Sequence, residues 1–136
     1  MRTTSRQKRD LRRGATAVEF AIVAPVFFVF LLAAFEFGWL NVVRHTADNA
    51  AYEAARTAVV PGATVAEAKA KADKLLKIVG TRSAKVTVTP SPLTVDSESV
   101  TVKIEVPMNK NGLIVPRFTK KSTIVATSTL RTERAD

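Results

Sequence analysis

Two carboxylates, Glu19 and Glu36, stand inside or at the edge of one long apolar segment, and they are the side chains of this chain best placed to do chemistry. An ionisable group in such a setting is costly to desolvate and normally has a partner that offsets the cost. Seventeen residues separate them, about 26 Å along a helix axis, so they can occupy opposite edges of a hydrocarbon layer. Gly14 marks the start of the segment, with Glu19 five residues later and Phe20 beside it. The chain shows no catalytic constellation. His45 is the single histidine, sits beside Arg44 without a companion ligand, and reads as a surface residue. Cysteine is absent, which excludes disulfide, thiol and zinc-thiolate chemistry. Neither a glycine-rich phosphate loop nor a nucleophile motif occurs. The serines, threonines and acids of the C-terminal half alternate with valine, as solvent-facing strand positions do. The expectation is a protein that is not an enzyme, with no metal, no cofactor and no small-molecule substrate.

The element that carries these carboxylates runs RRGATAVEFAIVAPVFFVFLLAAFEFGWL from Arg12 to Leu40. Sixteen residues without a charge, Phe20 to Phe35, form its centre. A helix over residues 15–40 would span ~39 Å, more than the ~30 Å core of a bilayer. The segment is apolar around its whole circumference, and no second segment of similar character exists to bury it, so residues 15–40 read as one transmembrane helix. Pro25 removes one backbone donor and predicts a bend. Trp39 falls where an interfacial aromatic anchor is expected.

Orientation follows from charge. Residues 1–14 hold Arg2, Arg6, Lys8, Arg9, Arg12 and Arg13 against Asp10, a net +5 within the whole chain's +9. Basic residues flanking a membrane helix stay cytoplasmic, which makes 1–14 a cytoplasmic leader and puts 41–136 outside. A basic chain invites a nucleic-acid reading, but here the charge is concentrated beside an apolar span and serves topology; no nucleic-acid partner is expected. A secretory signal peptide would have a shorter core ending in a small-x-small site, whereas the far end here reads Phe35-Glu36-Phe37-Gly38-Trp39.

Past the span, Ala47, Ala50, Ala51, Ala54, Ala55 and Ala58 recur at spacings of three and four in a helix-favouring stretch that ends at Pro61-Gly62. The span is therefore expected to continue as helix to about Val60, its alanine stripe packing locally against the same chain. Thr64 with Glu67 forms a capping box for a second helix. Val65, Ala68, Ala72, Leu75, Leu76 and Val79 give its apolar face, Lys69, Lys71, Asp73 and Lys74 lie largely off it, and Gly80 stops it. Strands are expected at 85–89, 100–106 and 122–131, with a turn at 96–99 and a loop from Pro107 to Lys121 whose centre is Leu113-Ile114-Val115-Pro116. The whole is an α+β fold: an N-terminal membrane helix prolonged into a long helix, a second helix, and a small three-stranded antiparallel sheet.

The Gly14-x4-Glu19-Phe20 pattern resembles the processing site of type IV pilin-like proteins, and Gly14, Glu19, Phe20, Pro25, Glu36, Phe37 and Gly38 together resemble the TadE-like pseudopilins of the Tad, or Flp, branch. The resemblance covers about 30 residues and extends to the rest of the chain in layout only. It implies cleavage between Gly14 and Ala15 by a prepilin peptidase, with the helix left in place. It further implies residence in the bacterial inner membrane with the domain periplasmic, and a part in Tad pilus assembly, secretion or surface adhesion. The implied partners are other Tad pilins and pseudopilins and the inner-membrane assembly platform. Cleavage would create an amino group at Ala15 for Glu19 to meet, on its own or a neighbouring subunit; the alternative is a Glu19 still solvated at the headgroups. Glu36 reads as a solvated interfacial carboxylate or as a partner-binding one. The competing function is an uncleaved single-pass anchor that displays a small extracytoplasmic binding domain.

Overall fold

The structure is a computed structural model that describes residues 4–93, 97–113 and 116–132, with side chains from Gly14 onward. Asp96 of the expected turn, Ile114 and Val115 of the loop centre, and the leader's basic side chains lie outside the described residues. Helix α1 spans Thr4–Ala58 and α2 Val65–Ile78; strands β1, β2 and β3 span Lys85–Thr89, Ser99–Pro107 and Thr123–Arg131, with a 3-10 turn at Met108–Lys110. The fold is α+β. Helix α1 begins within the leader, eleven residues before Ala15. Arg, Lys, Gln and Leu dominate that stretch and favour helix, which outweighs the cost of about 1 kcal/mol for an interior Gly14. Pro25 lies inside α1 without ending it.

The chain divides into two compact units, Met1–Phe35 and Glu36–Asp136. In the first, α1 is apolar and largely exposed from Gly14 to Phe35. Val18, Phe20, Ile22, Val23 and Phe30 each expose more than 60% of their surface, and Phe27 and Phe28 pack edge-on with ring centroids 5.6 Å apart. The helix is long and apolar enough to cross a membrane, and none of its most apolar stretch is buried. Twelve large apolar side chains left in water would cost on the order of 10 kcal/mol or more. A surface of this kind requires lipid or other helices around it.

The second unit holds the core. The C-terminal part of α1 contributes Val43 and the alanine stripe, in which Ala47, Ala50, Ala51, Ala54 and Ala55 are fully buried and Ala58 nearly so. Helix α2 adds Ala68, Ala72 and Leu76, β2 adds Val100, Val102, Ile104 and Val106, and β3 adds Ile124 and Ala126. The stripe packs within its own chain because alanine leaves room for closely approaching neighbours. The sheet is a meander in the order β1-β2-β3, antiparallel throughout, with Val86 opposite Ile104 and Ile104 opposite Ala126. Alternation along β2 puts Thr101, Lys103 and Glu105 on the outer face. At α2 the Thr64 hydroxyl accepts from the Glu67 amide while the Glu67 carboxylate accepts from the Thr64 amide. Gly80 follows α2 with φ +66°, a conformation that favours glycine.

Candidate functional site

Gly14, Ala15, Glu19 and Phe20 all lie exposed on α1 in the first unit. A Cβ added to Gly14 would meet nothing within 4 Å among the described residues, and its backbone is ordinary helix. Packing among the described residues therefore gives no reason for glycine there, although glycine weakens a helix by about 1 kcal/mol. Glu19 has no hydrogen-bond or ion-pair partner among the described residues, which leaves its carboxylate open to a partner from outside.

Glu36 is placed quite differently. It opens the second unit, half-buried, and its carboxylate is claimed by a loop more than eighty residues away in sequence. The Arg117 amide donates to Oε1 at 2.8 Å, and the Phe118 and Thr119 amides donate to Oε2 at 2.9 and 3.2 Å. The Thr119 hydroxyl adds a fourth bond to Oε2 at 3.3 Å. Three successive amides converging on one carboxylate form a small anion cradle, and charge-assisted bonds of this kind are about twice as strong as neutral ones. Glu36 is thus neither a freely solvated carboxylate nor an open partner site: its own chain supplies its donors. Thr119 is buried beneath it.

One turn further along α1 the Trp39 indole N–H donates to the Asn111 carbonyl at 2.6 Å, and the ring packs on the core. The residue read from the sequence as an interfacial anchor has its polar edge engaged within the domain. Asn111 is buried, and its side chain accepts from the Arg82 amide and donates to the Arg82 and Pro107 carbonyls at 2.8 and 2.7 Å. It ties α1, the segment after α2 and the end of β2 together. Losing that side chain would leave those backbone groups unpaired, at about 1–3 kcal/mol for each one that water cannot reach. Nothing local in the sequence marks Asn111 or Thr119: apart from Pro107, four residues before Asn111, the partners that give them a role are distant. His45 is exposed, and among the described residues no three His, Asp or Glu side chains come together as metal ligands.

The geometry defines a class: a small α+β domain and a long apolar helix, largely exposed from Gly14 to Phe35, on which Glu19 has no partner among the described residues. Residues 14–56 match the family model of TadE-like proteins. The match starts at Gly14 and takes in Glu19, Phe20, Pro25, Glu36 and most of the alanine stripe, about a third of the chain, and over that stretch the chain is similar to TadE-like proteins. No curated protein and no solved structure matches the chain.

Proposed function

We propose that this chain is a TadE-like minor pilin: a prepilin peptidase substrate, cut between Gly14 and Ala15, whose helix takes part in assembling a Tad pilus from the inner membrane. The observation that carries this reading is the TadE-like match beginning at Gly14, on a helix whose apolar surface has no cover within the chain. The absence of any steric demand for glycine at position 14 fits recognition by an enzyme that needs a small residue at the scissile bond. After cleavage the Ala15 ammonium is the cation nearest in sequence to Glu19, which has no partner among the described residues. On assembly the helix leaves lipid for a bundle of like helices, where a Glu19–Ala15 pair between subunits would offset the desolvation of both charges. The folded domain, with Glu36 and Trp39 already engaged, stays outside the cytoplasm.

Co-expression of the full chain with its matching prepilin peptidase tests the reading. The expected product is shorter by the fourteen leader residues and starts at Ala15, and Gly14→Val blocks the cut. An unchanged mass beside a peptidase that processes its other substrates would leave an uncleaved anchor instead.

A further inference from the structure

The uncharged run of α1 ends at Phe35, and the loop bound by Glu36 carries Arg117, Lys120 and Lys121, all exposed, with Phe118 between them, 51% exposed. Residues 15–35, a shorter span than the 15–40 expected from the sequence, would cover ~32 Å as a helix, the thickness of a bilayer core, so a helix that crosses over those residues alone emerges at Glu36. Four hydrogen bonds hold a cationic, aromatic-tipped loop on Glu36, the residue at which such a helix would emerge. Beyond the turn that Ser122 closes on Thr119, the chain enters β3. We propose that the 117–121 loop is a second membrane contact. Its three cations meet anionic phospholipid headgroups of the leaflet through which α1 emerges, and Phe118 enters the boundary between headgroups and acyl chains. The chemistry on both sides is complementary: Arg and Lys are drawn to an anionic surface, and an aromatic ring prefers the interfacial zone. Glu36 acts as a positioning residue that sets the loop's height. Its negative charge is spent on backbone amides, which leaves the loop's cations free for lipid. The contact fixes how the domain stands on the membrane before assembly, and it must be released if the helix is drawn out of the bilayer.

This inference rests on residues 15–35 spanning the membrane, so the experiment reads the two separately. The chain has no cysteine, and single Phe118→Cys, Phe28→Cys and Thr87→Cys variants of the full chain can each carry an environment-sensitive nitrobenzoxadiazole label. They are reconstituted into vesicles with and without phosphatidylglycerol, with quenchers attached to the acyl chains. The expected result is deep quenching at 28, shallow quenching at 118, and none at 87 on the outer sheet face. Quenching at 118 should fall without phosphatidylglycerol or in high salt, and with Arg117, Lys120 and Lys121 all changed to Ser, while position 28 is unaffected. Glu36→Ala should also lower it. A label at 118 as unquenched as that at 87, with 28 still deep, overturns the loop contact and points to a protein partner for this patch. A label at 28 in water overturns the span itself. Unchanged quenching at 118 in Glu36→Ala overturns the positioning role.

Discussion

Glu19 and Glu36 are the same residue type on one helix, yet their surroundings give them opposite roles. Glu36 has four donors from its own chain, whereas Glu19 has none among the described residues. A carboxylate left open in an apolar stretch acts only when a cation arrives, and under the proposed mechanism that cation is the Ala15 ammonium of a neighbour. Glu19→Gln removes one side of the pair and leaves a buried ammonium, at a cost of ~3–5 kcal/mol, more than a hundredfold in association. Membrane insertion should be unaffected, because an uncharged glutamine is less costly in lipid than a glutamate. The expected outcome is normal membrane levels of Glu19→Gln protein with loss of pilus incorporation, read by pilus recovery and by crosslinking to partner pilins. Normal incorporation would exclude the pairing.

At the scale of elements, α1 changes character along its length. From Val18 to Phe35 it offers large apolar side chains to its surroundings; from Val43 to Ala58 it offers mainly alanine to its own domain. The small stripe is covered by its own domain, and a larger side chain at a wholly covered position must displace its neighbours. Ala51→Leu should therefore destabilise the domain by about 1–3 kcal/mol through overpacking. Ala70→Leu, on the exposed face of α2, should stay within about 0.5 kcal/mol of the wild type. Denaturant unfolding of the detergent-solubilised chain, followed by the fluorescence of its only tryptophan, Trp39, distinguishes the two. Equal effects would mean that the stripe tolerates volume and is not closely packed.

For the whole molecule, charge and hydrophobicity act in sequence order while the domain acts through contacts made after folding. The leader's net +5 next to the uncharged run predicts a cytoplasmic amino terminus. Arg117, Lys120 and Lys121 do not oppose that orientation, because they lie far from the helix in sequence and reach its end only once the domain has folded. A reporter joined after Asp136 should be active outside the cytoplasm and silent inside; the reverse would overturn both the orientation and the proposed site of the domain.

The apolar run, the Gly14-x4-Glu19-Phe20 spacing, the alanine stripe, the capping box at Thr64 and the alternation of β2 are all local patterns, and each was legible from the chain alone. Periodicity reports which face of an element is buried, and capping is settled within four residues. Sheet order and register needed strands brought together across loops. The same holds for Glu36: its neighbours in sequence describe an acid at the end of an apolar helix, and nothing near it foretells three amides from residues 117–119. Asn111 and Trp39 likewise acquired their roles from partners 29 and 72 residues away. Hydrogen bonds over such separations depend on the packing of the whole core, which is why only the tertiary structure decided that Glu36 is satisfied by its own chain while Glu19 has no partner among the described residues.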